Sequence, residues 1–89
     1  MKKLFIENKA IEFIKKALVN EKAKDVRLFI SGGGCCKQFE LTPVNRSLTG
    51  DVTCVQDGIK VHIEKVIIDN TEKISIKYHE RNGLVIEFE

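Results

Sequence analysis

Cys35 and Cys36 are adjacent, preceded by Gly32-Gly33-Gly34 and followed by Lys37. Glycines let a backbone approach a ligand closely, because no Cβ stands in the way. Their N–H groups can hydrogen-bond to a thiolate, and a neighbouring lysine adds positive charge; both effects lower a thiol pKa. Two chemistries follow. As thiolates, the pair can bind a soft metal such as iron or zinc, but a closed site takes four ligands. One chain supplies two neighbouring thiols, so four require a second subunit. Alternatively the pair can close into a vicinal disulfide. Adjacent Cα atoms lie about 3.8 Å apart, against about 4.4–6.8 Å in an ordinary disulfide, so this ring is strained and easily reduced. Such a bond is a poor staple and a usable switch. The candidate site is therefore Cys35 and Cys36, as metal ligands or as a catalytic redox pair. Gly33 and Gly34 provide the backbone against any bound group. The alternative without chemistry is two small buried residues in a turn.

The remaining candidates are weaker. A phosphate-binding reading of the glycines fails, because Cys-Cys-Lys and a strand pattern follow them rather than Lys-Ser/Thr and a helix. Cys54 alternates with Thr53 and Val55 on the face of Val52 and reads as a buried, inert thiol, its alternative role being a third ligand. His62 shares the face of Lys60, and His79 that of Ser75 and Lys77, so both read as surface residues. No Ser/His/Asp set assembles, and the carboxylates are scattered.

Composition narrows the function classes. The 89 residues suffice for one domain, 1–89, and not for a second core. Fifteen basic and thirteen acidic residues give a net charge of +2, spread along the chain, without the basic stripe of a nucleic-acid binder. Apolar runs such as Val66-Ile67-Ile68 are far short of the ~20 residues of a membrane span. Lys2-Lys3 is followed only by Leu4-Phe5-Ile6 before Glu7, too short for a signal peptide. An odd cysteine count argues against a secreted disulfide framework. A reducing cytoplasm is the expected setting.

The elements that must hold the pair can also be read. Ala10, Ile11, Ile14, Ala17 and Leu18 form one helical stripe flanked by Phe13. Asn8 is a candidate N-cap, the helix ends near Asn20, and Glu12 and Lys16 are spaced for an ion pair. Val26, Leu28 and Ile30 alternate as a strand that runs into the glycines. A short strand, Gln38 to Thr42, ends at Pro43, which lacks an N–H for the ladder. Asp57-Gly58, between Val52–Val55 and Ile59–Ile63, predicts a type I′ hairpin, as does Asn82-Gly83 between Ile74–His79 and Leu84–Phe88. Residues 64–70 fit either a helical turn or an irregular crossover. The expected core is Ile11, Ile14, Leu18, Leu28, Ile30, Val61, Ile76, Ile86 and Phe88. The class is α+β, mainly β, with one packed helix.

An N-terminal helix, then Val26-Arg27-Leu28-Phe29-Ile30, then Gly33-Gly34-Cys35, then Asp57-Gly58-Ile59-Lys60-Val61-His62-Ile63 and a closing hairpin: this arrangement resembles the HesB-like domain of A-type, IscA-like iron–sulfur carriers. The resemblance spans residues 8–88, and its most specific part is the strand with Gly-Gly-Cys. It implies twisted antiparallel or mixed sheets in a sandwich or half-barrel with one N-terminal helix. It also implies iron or an iron–sulfur cluster as cargo, with Cys35 at the matching ligand position. Family members carry Ser or Ala and then Gly after this cysteine, and end in a Cys-Gly-Cys tail with two further ligands. Here Cys36 and Lys37 follow, and the sequence reaches Glu89 without that tail. Cys36 is similar to a divergent branch with a Cys–Cys or Cys–selenocysteine pair. Three functions are open to such a chain: a cluster or soft-metal carrier using Cys35 and Cys36, across a homodimer; a thiol redox protein; and a non-catalytic interaction domain. The expected partners are iron–sulfur assembly or thiol-redox proteins, not nucleic acid or membrane.

Overall fold

The structure is a computed structural model that describes residues 4–32 and 38–89. The elements run β1 (Leu4–Ile6), α1 (Asn8–Glu21), β2 (Asp25–Ser31), β3 (Gln38–Val44), β4 (Val52–Gln56), β5 (Ile59–Ile63), α2 (Lys65–Asn70), β6 (Ile74–His79) and β7 (Gly83–Phe88). The strands form two mixed sheets, in the orders β1-β6-β7 and β3-β2-β5-β4. Within them β1 runs parallel to β6 and β2 parallel to β5; the other pairs are antiparallel. The α+β, mainly β class with an N-terminal helix is the observed one. No described helix is long and apolar enough to cross a membrane.

Helix α1 forms because its apolar stripe has somewhere to go: Ala10, Ile11 and Ile14 are buried and Leu18 packs at the margin. Its start differs from expectation. Glu7, not Asn8, is the N-cap, and no side chain caps the helix. Instead Glu7 donates its N–H to the Ile76 carbonyl at 2.9 Å, so the neighbouring sheet fixes the entry of the helix. At the other end Lys22 adopts φ +53. The Lys22 N–H then reaches the Val19 carbonyl at 3.2 Å and the Ala23 N–H the Leu18 carbonyl at 3.0 Å. That is a Schellman closure made with lysine where glycine is usual. Glu12 and Lys16 form no ion pair; the pair formed at this spacing is Lys65–Asp69 at 2.8 Å, on α2.

The core lies between the two sheets and under α1, built from Leu4, Ile6, Val26, Leu28, Ile59, Val61, Ile63, Ile67, Ile68, Ile74 and Ile76 with the helical stripe. Ile30, Ile86 and Phe88 pack at its edge rather than inside it. Residues 64–70 resolve into α2, which buries Ile67 and Ile68.

Asp57 and Gly58 both have positive φ, +51 and +81, as a type I′ turn requires. At the second hairpin Gly83 has φ +73 but Asn82 is not in the left-handed region. The Asn82 N–H closes a turn on the His79 carbonyl at 3.2 Å, so the connection is a longer loop than the two-residue I′ form. Pro43 does not end its strand. It lies within β3 opposite Val26, which is tolerated because β3 is an edge strand whose outward N–H has no ladder partner.

Candidate metal-binding site

Gly33, Gly34, Cys35 and Cys36 lie outside the described residues. The frame that leads to them and away from them is described. Strands β2 and β3 pair over seven positions, from Asp25↔Val44 to Ser31↔Gln38. Residues 33–37 therefore connect two strands whose ends are already side by side. Gly32, the last described residue before them, has φ +76, which its missing Cβ permits at little cost. On the far side, the Phe39 ring packs on Phe88 with centroids 4.3 Å apart, which ties the start of β3 to the end of β7.

The β5 side of β2 is held differently. The parallel ladder runs only from Val26↔Val61 to Leu28↔Ile63. Beyond it, Glu64 donates its N–H to the Leu28 carbonyl at 3.1 Å. Its side chain then turns back, and Oε1 accepts the Ile30 N–H at 2.9 Å.

Cys54 does not belong to this end of the sheet. It pairs with Val61, which pairs with Val26, five residues before Ser31. At about 3.3 Å per residue and about 4.8 Å per strand, Cys54 stands roughly 19 Å from Ser31. Its side chain packs against the core, and burial pushes the thiol pKa up. The inert reading fits this place, since a protonated thiol is neither nucleophile nor ligand. Among the described residues, no three His, Cys, Asp or Glu side chains cluster closely enough to hold a metal.

His62 corrects the surface reading. Its parity is as expected, on the face of Lys60, yet it is only 5% exposed. Strand β5 is interior, so His62 is flanked by Arg27 on β2 and Thr53 on β4. Its Nε2 lies 2.8 Å from Asp25 Oδ2 and its Nδ1 2.7 Å from Thr53 Oγ1. With the proton on Nε2, the ring donates to Asp25 and accepts from the Thr53 hydroxyl. His79 is exposed as expected.

Beside this network, Arg27 grips Asp51 with two hydrogen bonds, Nε–Oδ2 at 2.8 Å and Nη2–Oδ1 at 3.1 Å. The bond from Arg27 holds the Asp51 carboxyl below the ordinary carboxylate range, and Asp51 raises the Arg27 pKa in return. Asp51 Oδ2 also accepts the Leu48 N–H at 2.9 Å. The loop after β3 is thus strapped over the outer face of the sheet, where Arg27 lies 5.1 Å from the Phe29 ring centre. Alternation alone does not find this network. The signal was the concentration of Asp25, Arg27, Thr53 and His62 on one face of three neighbouring strands, visible only once the strand order is known.

Solved structures show what this frame is similar to. The chain superposes on IscA carrying a [2Fe-2S] cluster with a TM-score of 0.77, over 97% of this chain and 83% of that one, at 15% identity. The fold is the IscA fold. Escherichia coli SufA, involved in the biosynthesis of iron–sulfur clusters, gives 0.76 at 17% identity, over 99% of this chain and 85% of that one. A protein from Aquifex aeolicus, solved by solution NMR, gives 0.68 at 23% identity, over 98% and 90%. No protein-family model and no curated protein matches the sequence. The HesB-like architecture that the strand and Gly-Gly-Cys pattern implied is the one the chain adopts.

Proposed function

We propose that the protein is an iron–sulfur cluster or soft-metal carrier that holds its cargo through Cys35 and Cys36. The observation that carries this reading is the likeness in fold, over nearly the whole chain, to IscA with its [2Fe-2S] cluster. The donor chemistry agrees with it. Iron–sulfur clusters are held by thiolates, four to a [2Fe–2S] unit. Cys54 sits far from the end of β2 that leads to the pair, so each chain contributes two thiols. Two chains complete the set, which makes the loaded form a homodimer with a shared site. Proteins of iron–sulfur assembly are then the natural partners, and a reducing cytoplasm the natural setting, since both thiols must stay reduced to bind.

Anaerobic reconstitution of the purified protein with iron and sulfide tests this, with Cys35→Ser/Cys36→Ser alongside. The expected result is cysteine-dependent charge-transfer absorption, with about one cluster per two chains, four thiolates being the requirement. Failure to retain iron overturns the reading. The adjacency of the two thiols then favours dithiol–disulfide cycling, which a redox titration of the pair would reveal. A double serine variant that changes only stability would leave a non-catalytic interaction domain.

A further inference from the structure

We infer that Glu64 is a positioning residue for the segment that carries Cys35 and Cys36; the inference rests on the functional reading above. In a parallel ladder continued past Leu28↔Ile63, the backbone of residue 64 would serve β2 twice. Its N–H would donate to the Leu28 carbonyl and its carbonyl would accept from the Ile30 N–H. The first bond is present, at 3.1 Å. The second cannot form from the backbone, because the Glu64 carbonyl is diverted into α2. It accepts from Ile67 at 3.0 Å and from Ile68 at 3.4 Å.

The Glu64 side chain supplies the missing acceptor. Its Oε1 stands 2.9 Å from the Ile30 nitrogen, and the side chain makes no capping bond to α2, although Glu64 occupies the N-cap position. One residue thus begins the helix with its backbone and completes the strand with its carboxylate. Ile30 is half-buried against the core, so its N–H would otherwise lack a partner in a partly dry setting. Ile30 is followed by Ser31, where β2 ends, and by Gly32. Without the brace, the β5 side of the strand would be held only up to Leu28, and Ile30 and Ser31 only by β3.

The test separates the acceptor from the charge. Glu64→Ala removes both, whereas Glu64→Gln keeps an oxygen acceptor and loses only the charge. Three quantities are measured in the full chain: hydrogen exchange at the Ile30 amide, iodoacetamide alkylation at each cysteine, and retention of iron after reconstitution. Ile30 exchange should be about fivefold faster in Glu64→Ala than in Glu64→Gln, the loss of one neutral hydrogen bond. Alkylation of the Cys35–Cys36 pair should differ at least threefold between the two variants, with the rate at Cys54 unchanged as an internal control. Equal Ile30 exchange in both variants would overturn the brace itself. Faster Ile30 exchange with identical alkylation of the pair would overturn positioning and leave a purely structural bond. If the exchange and alkylation pattern holds but wild-type protein retains no iron, positioning stands and the carrier reading falls.

Discussion

Asp51→Ala should destabilise the domain by about 3 kcal/mol at neutral pH. The Arg27 side chain is 13% exposed and that of Asp51 2%, so removing the carboxylate leaves a nearly buried guanidinium without its counter-charge. Breaking such a pair from one side costs about 3–5 kcal/mol, and the lower end applies because Arg27 borders an open cleft. For 89 residues, unfolding entropy near 2.1 cal/mol/K per residue gives about 0.19 kcal/mol/K, hence a fall in Tm of about 15 °C. The effect must also depend on pH in one direction. A carboxylate with a lowered folded-state pKa contributes fully above its ordinary value, 3.8 for Asp51, and loses that contribution as pH falls through the lower value. Urea unfolding of wild type and Asp51→Ala at pH 7, 5, 4 and 3 reads this directly. The gap should be constant from pH 7 to 5 and should narrow below about pH 4. A gap under 1 kcal/mol at pH 7, or one that persists unchanged at pH 3, would refute the argument. Arg27→Met/Asp51→Leu should recover most of the loss, since an apolar pair leaves no orphaned charge.

Gln56→Leu should cost about 2–4 kcal/mol in urea unfolding, because it strips partners from both the N–H and the carbonyl of buried Ile6. Those bonds, from Ile6 N–H to Gln56 Oε1 at 2.9 Å and from Gln56 Nε2 to the Ile6 carbonyl at 2.8 Å, let one side-chain amide stand in for a strand. His62→Phe should cost about 2 kcal/mol by leaving Asp25 and Thr53 unpaired; a His62→Phe variant as stable as wild type would mean the network is incidental. The iodoacetamide rate at Cys54 should rise with pH to a midpoint above the ordinary thiol value, because burial disfavours its thiolate. A midpoint below that value would show a polarised, reactive Cys54 instead.

The parts of this fold legible in the sequence are those set by local chemistry. The stripe Ala10-Ile11-Ile14 is buried as its spacing requires. Asp57-Gly58 turns where two positive φ values are needed. Where one residue answers to a distant strand, local reading falls short. Leu4–Ile6 shows no periodicity in three residues, and becomes a strand because β6 offers it a parallel edge. Pro43 is a breaker in general and harmless on an edge. His62 has surface parity but lies on an interior strand between Arg27 and Thr53, and only strand order reveals that. The Cys35–Cys36 pair was legible as chemistry, from residue type and adjacency. The brace at Glu64 was not, because it exists only where a parallel ladder meets a helix start.

The pairing of β1 with β6 also sets a timetable. Leu4 meets Ile74 and Ile6 meets Ile76, so the first strand waits for a segment seventy residues further on. Closing that loop costs about 2 kcal/mol more chain entropy than closing a five-residue turn. On a ribosome adding about 5–20 residues per second, roughly 4–14 s separate the synthesis of the two partners. During that interval Ile6 and the apolar stripe of α1 lack β6 and can meet only the four-stranded sheet, whose β2, β3, β4 and β5 can already pair. The chain is therefore expected to assemble its four-stranded sheet first and to seat its own N-terminus last. Nascent chains that stop short of β6 should expose Ile6, Ile11 and Ile14 to chaperones.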